Sequence, residues 1–305
     1  MTSPYPFVSI LIPTRNNEKD LVDCLGSIKA LDYDLGRIEI IIWDNNSSTE
    51  EKEKIKSFLC DISRERKLRT KFIENTANFG VYTSRDKLFK RVSPDTEFIL
   101  SIDDDVILPS ELFRDLFPHF QQDNSIGIIG PRTVYDDTPS ETAHGAGFIN
   151  WWFGQYFTKD AKASLDCDYV IGCCMVIKRS VIDEIGGFDR DYYTSHGEVD
   201  FCLRAKKKGY KIIYYPGVSV RHKVAKGGTR TPDRVYYVYR NKLFVIKKNA
   251  PIPQKWISLG LYSLFWLPKA ILDSIIRNKR TNSQEAKMIF RAMLDGWLSK
   301  GGRRA

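Results

Sequence analysis

The sequence predicts an α/β fold in which a Rossmann-like, mostly parallel sheet is flanked by helices and followed by a C-terminal helical extension. Three observations support this class. Short β-rich runs alternate with stretches of helical periodicity over residues 1–130. The links between them are short, as in βαβ units. Polar clusters follow several of the strands, at the sheet edge where ligands bind in such folds.

The elements of the first half follow in order. Residues 18–30 repeat apolar side chains at helical spacing, and residues 7–12 form a continuous apolar run typical of a buried strand. A charged helix is expected to end near Leu59 and another helix to cover residues 82–90. The expected strands are 7–12, 38–43, 68–73, 97–102 and 126–130.

The alternation stops after residue 130. Residues 131–168 are expected to be irregular, because they combine Trp151 and Trp152 with several glycines and lack a period. Pro216 and Gly217 are expected to interrupt the last strand region. The remaining expected elements are strands at 169–177, 211–215 and 218–220, a short helix at 198–208, and helices from residue 232 onward.

Charge is divided unevenly along the 305 residues, whose net charge is +9. Residues 1–220 carry 28 Lys and Arg against 34 Asp and Glu, a net of −6, whereas residues 221–305 carry 19 against 4, a net of +15. An acidic body with a basic tail suggests that the tail meets an anionic surface. The aromatic and aliphatic content of the tail favours a membrane surface over nucleic acid.

The apolar run at residues 256–267 bears on how the tail would meet a membrane. A helix of about 12 residues would span roughly 18 Å, short of a hydrocarbon core of roughly 30 Å, so crossing the bilayer is not expected. Two possibilities remain open for this helix. It packs on the rest of the chain or in a homodimer, or it lies in the membrane interface.

The cysteines and the N-terminus indicate a compartment. The six cysteines contain no CxxC pair, and Cys173 and Cys174 lie in an apolar stretch, which favours buried free thiols over disulfides or zinc. Residues 1–4 lack the basic and long apolar regions of a secretory signal. We therefore expect a cytoplasmic protein, with possible peripheral attachment to the inner face of the membrane.

Asp103, Asp104 and Asp105 follow an apolar run at 98–102. Like charges this dense at the end of a buried strand repel one another unless a cation neutralises them. A hard divalent cation with oxygen ligands fits, and Mg²⁺ usually arrives with a phosphate-bearing substrate. A turn with a helix-capping carboxylate needs only one aspartate, so we favour metal and phosphate.

Other polar residues have a structural and a functional interpretation. Asp44 ends a strand, where it either caps a turn or accepts a hydrogen bond from a base. Glu198 begins a helix, where it either complements the helix dipole or acts as a general base. Asp200 and Arg204 have the i, i+4 spacing of a salt bridge. His222 ends a strand and is either a satisfied histidine or a metal ligand.

The order of the motifs is more specific than any one of them. It resembles family 2 glycosyltransferases over roughly residues 7–250, and most closely their rhamnosyltransferase-like branch. The motifs are Pro13-Thr14-Arg15-Asn16-Asn17, Trp43-Asp44-Asn45-Asn46-Ser47, Asn78-Phe79-Gly80, Ile102-Asp103-Asp104-Asp105, Gly172-Cys173-Cys174-Met175, Gly186-Gly187-Phe188-Asp189, Gly197-Glu198-Val199-Asp200 with Arg204, Tyr214-Tyr215-Pro216, Arg221-His222 and Tyr239-Arg240-Asn241.

The resemblance implies a GT-A fold and inverting transfer from a nucleotide-diphosphate sugar, UDP- or dTDP-linked, to a lipid-linked or glycan acceptor. It implies a catalytic domain over 1–230, with a nucleotide-sugar half at 1–130 and an acceptor half at 131–230, and a basic extension at 231–305. The resemblance implies that Glu198 is the base and that Asp105, Asp103 and His222 are ligands of Mn²⁺ or Mg²⁺. The residues implied to bind the donor are Pro13, Thr14, Arg15, Asn16, Asp44, Asn78, Gly80, Arg85, Asp103 and Asp104. Those implied to contact the acceptor are Trp151, Trp152, Asp189, Tyr193 and Asp200.

Two departures from the family pattern affect these roles. The family often has Glu-Asp before the helix, whereas this chain has Gly197-Glu198, so Glu198 is the only candidate at the base position. Asp86 replaces the usual asparagine after Arg85.

A loop at 223–231, hinged at Gly227 and Gly228, is expected to close over the diphosphate through Lys226 and Arg230.

Two other functions remain as alternatives. A nucleotidyltransferase shares the architecture but usually has a glycine-rich basic loop after the first strand, where this chain has Thr14-Arg15-Asn16-Asn17. A nucleotide- or carbohydrate-binding module with decayed catalytic residues would not need Asp103, Asp105, Glu198 and His222 together.

Overall fold

The structure is a computed structural model that describes residues 5–66, 68–224, 231–277 and 282–304. Its α/β architecture confirms the fold class predicted from the sequence. Consecutive residues of a strand face opposite sides of the sheet. In β1 (Val8–Thr14), Val8, Ile10 and Ile12 enter one core while Leu11 enters the other. Both faces of the sheet are covered, which explains why its central strands are continuous apolar runs.

In the described residues, ten strands form one sheet, in the order β10-β12-β6-β11-β4-β1-β2-β3, with β5 beside β12 and β7 beside β6. The pairs around β1 are parallel, and β11 is antiparallel to both of its neighbours. The other strands are β2 (Ile38–Asp44), β3 (Arg69–Ile73), β4 (Phe98–Ile102), β5 (Val106–Ile107), β6 (Ile126–Tyr135), β7 (Thr142–His144), β8 (Ala146–Asn150), β9 (Gln155–Lys159), β10 (Leu165–Asp166), β11 (Cys174–Lys178) and β12 (Lys211–His222).

Helices cover both faces of this sheet and form the C-terminal part. Amphipathic α1 illustrates why they pack there: Leu21, Leu25 and Ile28 recur on one face and are fully buried. The helices are α1 (Glu18–Lys29), α2 (Thr49–Arg66), α3 (Val81–Phe89), α4 (Leu112–Gln122), α5 (Arg179–Ile185), α6 (Gly197–Lys207), α7 (Pro232–Asn249), α8 (Gln254–Leu261), α9 (Leu267–Arg277) and α10 (Asn282–Trp297).

The expectation that residues 131–168 are irregular is wrong. Strand β6 continues to Tyr135, and β8 pairs with β9 as an antiparallel hairpin. Gly147, which suggested a loop in the sequence, lies in β8, and glycine is required there because a Cβ would come within 2.4 Å of the Tyr169 ring. Strands β8 and β9 are short. Gly147 allows close approach of the backbone to Tyr169, and the two strands lack the apolar alternation by which strands are usually recognised in a sequence.

Two further boundaries differ from the expected ones. Residues 211–222 form one strand, β12, whose register against β6 shifts between Tyr215 and Ser219. Pro216 and Gly217 therefore occupy an irregularity inside a strand, where the missing N–H of proline is tolerated. The strand expected at 169–177 begins only at Cys174, and Tyr169 makes an isolated bridge to Gly147.

The C-terminal helix that contains the apolar run is longer than the sequence suggested. Helices α8 and α9 are joined without a break by a π-helical segment, Tyr262–Trp266. Gln254–Ile276 makes up 23 residues and passes the length and composition criteria of a membrane span, with 22% of its apolar window buried. Core helices also pass these criteria. A helix of this length extends about 35 Å, so the argument that it is too short to cross a bilayer does not hold.

Candidate active site

The loops at one edge of the sheet enclose a cleft of about 750 Å³. It lies where the carboxyl ends of the central parallel strands meet, as expected for a sheet of this topology. Seven of the residues predicted from the sequence line it, although they come from five distant segments of the chain. They are Arg15, Asn78, Arg85, Asp103, Tyr193, Glu198 and His222.

A group of three potential metal ligands lies at this cleft. The ligand atoms of Asp103, Asp105 and His222 are all within 4.8 Å of one another. The turn after β4 presents the two aspartates, and the pairing of β12 with β5, His222 opposite Val106, brings the histidine to them. His222 Nε2 lies 3.1 Å from Asp105 Oδ1. The arrangement can hold a divalent cation through two carboxylates and one imidazole.

The polar atoms of this group support that interpretation. His222 Nδ1 is buried and makes no hydrogen bond within the described residues, and the buried Asp105 Oδ1 has only the His222 imidazole beside it. Such groups are costly unless a partner, a water or an ion satisfies them. Burial by itself would lower the pKa of His222, but the adjacent Cys173 sulfur and Asp105 carboxylate raise it. A cation would displace the proton that this imidazole otherwise holds.

Arg85 connects the metal-ligand group to the other side of the cleft. Its side chain is only 2% exposed, and Nη2 donates to Asp103 Oδ1 at 2.6 Å. Gly172 provides the space, since a Cβ at that position would lie 2.9 Å from Arg85 Nη1 and 3.2 Å from the Glu198 Cβ. The glycine of the Gly172-Cys173-Cys174 motif thus allows Arg85 and Glu198 to lie side by side.

Glu198 lies in the first turn of α6 and lines the cleft. The Tyr82 hydroxyl donates to Glu198 Oε2. Burial raises the pKa of Glu198 above its ordinary value, while the Tyr82 hydrogen bond and nearby Arg85 lower it. A carboxylate with a raised pKa, facing a polar cleft, is suited to accept a proton from a substrate hydroxyl.

Asp104 has a different environment from its neighbours. It accepts hydrogen bonds from Thr14 Oγ1 at 2.6 Å and from Asn17 Nδ2 at 3.1 Å, so it binds the end of β4 to the loop after β1. Burial raises its pKa to about 7. A second cleft of about 370 Å³ lies beside it, lined by Pro13, Thr14, Arg15, Asn16, Asn17, Asn45, Val81, Asp103 and Asp104. The donor-binding residues predicted after β1 therefore surround this second cleft.

Two predicted donor-binding residues line neither cleft. The fully buried Asp44 carboxylate accepts a hydrogen bond from the Ser47 N–H at 3.1 Å and lies 3.5 Å from Lys52 Nζ. These are the contacts expected if Asp44 caps a turn. Gly80 has a φ of 79°, and a Cβ there would come within 2.4 Å of Tyr193. Gly80 thus shapes the cleft by bringing the backbone against Tyr193, and a base contact by Asp44 stays a prediction.

Four of the five predicted acceptor residues also lie outside the cleft lining. Asp189 Oδ2 forms an ion pair with Lys248, and buried Asp200 is bound by Arg204 and Asn249. The Trp151 carbonyl accepts a hydrogen bond from the Ser258 hydroxyl. Trp152 is 49% exposed at the β8–β9 turn. Of this group, Tyr193 alone lines the cleft.

The structure adds residues that sequence reasoning missed. Tyr82 reaches Glu198 from α3, and its position two residues after Asn78-Phe79-Gly80 gave no signal of that contact. Others are His144, at the end of β7, and several residues of the C-terminal helical part: Asp233, Arg234, Tyr237, Arg303 and Arg304. In the hinged loop expected at 223–231, residues 225–230 lie outside the described residues, and with them Lys226, Gly227, Gly228 and Arg230.

Comparison with known proteins gives a family and a fold. Residues 9–186, more than half of the chain, match the model of Glycosyl transferase family 2. The low-salt glycan biosynthesis hexosyltransferase Agl10 of Haloferax volcanii is 25% identical over 77% of this chain and 74% of its own length. The beta-monoglucosyldiacylglycerol synthase of Trichormus variabilis is 23% identical over 90% of this chain and 59% of its own length.

An uncharacterized protein of Sinorhizobium fredii, y4gI, is 24% identical over 75% of this chain but only 26% of its own length. The chain thus spans between about a quarter and three quarters of the length of these curated relatives.

Solved structures resemble the whole described fold. Mannosyltransferase PcManGT from Pyrobaculum calidifontis, in complex with GDP-Man and Mn²⁺, has a TM-score of 0.62 and 14% identity, covering 98% of this chain and 89% of that one. S. aureus TarS with UDP-GlcNAc has a TM-score of 0.62 and 15% identity, covering 96% and 81%. GalNAc-T7 with UDP, GalNAc and Mn²⁺ has a TM-score of 0.65 and 13% identity, covering 97% and 56%.

At these identities the likeness shows the fold, which is GT-A. The family match and this fold agree with the motif order in the sequence, and the chain belongs to glycosyl transferase family 2.

Proposed function

We propose that the protein is an inverting, metal-dependent hexosyltransferase that moves a sugar from a nucleotide-diphosphate donor to an acceptor hydroxyl. One observation carries the proposal. A single cleft is lined by a buried carboxylate of raised pKa, Glu198, and by members of the metal-ligand group, Asp103 and His222. Transfer needs a base at the acceptor and charge neutralisation at the diphosphate, and the cleft offers both.

Glu198 would act as the base. Its carboxylate accepts the proton of the acceptor hydroxyl as that oxygen attacks the anomeric carbon from the face opposite the diphosphate. The attacking oxygen bonds to carbon, the bond to the diphosphate breaks, and the configuration inverts. No covalent enzyme intermediate is required. Tyr82 holds the Glu198 carboxylate in place through its hydroxyl.

Asp103, Asp105 and His222 would hold the cation. When bound, it neutralises charge that develops on the departing diphosphate. A set of metal ligands that includes an imidazole suits Mn²⁺ better than Mg²⁺, which prefers oxygen ligands alone. Two of the similar solved structures contain Mn²⁺. Arg85 orients Asp103 by its 2.6 Å hydrogen bond and adds positive charge beside the ligands.

For the donor, we propose a UDP- or dTDP-linked sugar bound between the two clefts, with the loop at Pro13–Asn16 on one side and Asn78 and Arg85 on the other. TarS and GalNAc-T7 were solved with UDP or a UDP-sugar, and PcManGT with GDP-Man, so relatives of this fold use different bases. Membership of the rhamnosyltransferase-like branch stays a prediction.

For the acceptor, we propose a lipid-linked or polysaccharide hydroxyl reached by peripheral attachment to the cytoplasmic face of a membrane. Large apolar side chains are exposed along α8, α9 and the π-helical segment that joins them, among them Trp256, Leu264 and Leu272. The opposite face of the same helices is packed, since Leu259 and Leu267 are buried in a core with α7 and α10. A helix held on one face by the protein fits the membrane interface better than a crossing.

The alternatives have less support. A nucleotidyltransferase would not need a base opposite the metal ligands, and a decayed binding module would not keep Glu198, Asp103, Asp105 and His222 around one site. The decisive experiment incubates the protein with a panel of UDP-, dTDP- and GDP-sugars, with Mn²⁺, Mg²⁺ or EDTA. With water as the acceptor, we expect metal-dependent release of one nucleoside diphosphate, and NMR spectra taken before mutarotation should show a free sugar of inverted anomeric configuration. In a parallel incubation with nucleoside triphosphates and sugar 1-phosphates, release of pyrophosphate would instead identify a nucleotidyltransferase.

A further inference from the structure

The segment after α10 returns to the active cleft and forms part of its wall. The Gly302 N–H donates to the Asp191 carbonyl at 2.8 Å, and the Arg304 N–H donates to the Tyr237 hydroxyl at 2.8 Å. Gly301 passes so close to Asp191 that a Cβ would lie 2.3 Å from its Oδ1, and Gly302 has a φ of 71°. The two glycines are what allow this path.

A buried arginine fastens the segment in place. Arg240, 1% exposed, donates from Nη1 to the Gly302 carbonyl at 2.8 Å and from Nη2 to the Asp191 carbonyl at 3.0 Å. Its guanidinium lies 4.9 Å from the centre of the Tyr237 ring. Asn241 donates to the carbonyls of Thr194 and Ser195, on the cleft loop. The Arg240-Asn241 motif thus holds the C-terminal segment and the cleft loop together.

The consequence is that two arginines of this segment line the cleft. Arg304 is neutralised by Asp233 at 2.7 Å. Arg303 is exposed, and no carboxylate of the described residues lies within ion-pair distance of it. The same holds for Arg15, on the loop after β1. The cleft therefore presents two guanidiniums, contributed by distant parts of the sequence, for which the described residues supply no ion-pair partner.

Tyr193 lines the same cleft as these two arginines. Desolvation raises the pKa of its hydroxyl, while Arg303 and Arg15 both lower it. Its ring is stacked on Tyr237, with centroids 5.1 Å apart, and Tyr237 in turn binds the backbone of Arg304. Two guanidiniums and a hydroxyl that line one cleft are the hydrogen-bond donors that phosphate oxygens prefer.

We propose that Arg15 and Arg303, with the Tyr193 hydroxyl, bind a phosphate group of a substrate in the cleft. The C-terminal segment is then part of the substrate site. The proposal rests on the proposed function in taking the cleft's substrates to be phosphorylated. The phosphate belongs either to the diphosphate of the donor or to a phosphorylated acceptor, and both offer the same oxygens to the two guanidiniums.

The test is calorimetry on the full chain with Mn²⁺, using Arg303→Ala, Arg15→Ala and the matched control Lys300→Ala. Lys300 carries the same charge three residues away and pairs with Asp295 outside the cleft. Three titrations are made: UDP, inorganic pyrophosphate, and pyrophosphate into protein saturated with UDP. Because hydrogen bonds to charged groups contribute about 1.5–3 kcal/mol, each arginine variant should weaken the affected titration about 10-fold or more.

The arms distinguish the two sources. Weaker UDP binding in both arginine variants assigns the phosphate to the donor. Unchanged UDP binding, with loss of pyrophosphate binding to the UDP-saturated protein, assigns it to the acceptor. If Arg303→Ala matches Lys300→Ala in all three titrations, the proposal is overturned. Pyrophosphate binding is measured without any sugar transfer, so failure of the proposed function would leave this test intact.

Discussion

The Tyr82 hydroxyl donates a hydrogen bond to Glu198, and the ring of Tyr82 occupies the space that a side chain at position 197 would need. A Cβ on Gly197 would lie 2.6 Å from that ring. Gly197, at which the chain departs from the family pattern, therefore leaves the space that the Tyr82 ring occupies. In place of a neighbouring carboxylate, which would raise the pKa of Glu198, the chain supplies a hydroxyl, which lowers it.

Removing the carboxylate of Glu198 should abolish most of the turnover. We expect Glu198→Gln to lower kcat by roughly 10²-fold or more and to leave nucleotide binding near wild type, because the amide cannot accept the acceptor proton. Steady-state kinetics and calorimetry measure the two effects. Near-normal turnover would move the base elsewhere, with Asp189 or Asp191 as the next candidates, although both are bound to Lys248.

Tyr82→Phe should move the acidic limb of the pH–rate profile to higher pH. The base is active as a carboxylate, so the rate rises as pH increases through the raised pKa of Glu198. Loss of the Tyr82 hydrogen bond removes an interaction that lowers this pKa, so the pKa rises further. Plots of kcat/KM against pH for both proteins test this, and a limb shifted to lower pH would contradict it.

A methyl group at position 197 should be tolerated only when the Tyr82 ring is gone. We expect Gly197→Ala to destabilise the fold by about 1–3 kcal/mol, because α6 and α3 must separate to admit the Cβ. In the double variant with Tyr82→Ala, the two losses should be less than additive. Urea denaturation of the wild type, the two single variants and the double variant gives the four free energies of unfolding for this double-mutant cycle. Strict additivity would show that the ring and residue 197 do not compete for space.

Some parts of this molecule follow from the sequence and others do not. Central strands are recognisable because both faces are buried, and Asp103 stands out because a strand end concentrates charge there. The ion pair of Asp200 with Arg204 follows from their i, i+4 spacing. The partner of Asp189, Lys248, and the second partner of Asp200, Asn249, give no local signal, because they lie at the end of α7, 59 and 49 residues further along the chain. Arg303 gave no local signal, since it reaches the cleft only through the fold of the last segment.

The three aspartates should differ in what they do for metal binding. Asp105→Asn should lower Mn²⁺ affinity at least about 10-fold and abolish metal-dependent UDP binding, since its carboxylate is one of three clustered ligands. Asp104→Asn is the matched control, because Asp104 is occupied by Thr14 and Asn17. Calorimetry with Mn²⁺, and with UDP before and after EDTA, makes the comparison. Equal losses in the two variants, or UDP binding that EDTA leaves unchanged, would contradict the assignment.

Attachment to an anionic membrane should depend on the exposed face of α8, α9 and the π-helical segment that joins them. Leu264 and Leu272 are 83% and 56% exposed, and residues 221–305 carry a net charge of +15. Apolar burial and attraction to the anionic leaflet should act together, and salt should weaken the second. We expect the wild-type chain to sediment with phosphatidylglycerol vesicles, more strongly at low salt than at high salt.

The double variant Leu264→Glu/Leu272→Glu should reduce this partitioning about 10-fold or more, because it replaces two inserted side chains by charges. Phe153→Glu/Phe157→Glu is the control: it makes the same charge change on side chains that are each 53% exposed near the β8–β9 hairpin. Point variants are preferable to deletion after Asn249, which would remove α10 and the cleft residues Arg303 and Arg304. If no protein sediments and the α8–α9 variant instead converts a dimer to a monomer in light scattering, the apolar face is a homodimer contact.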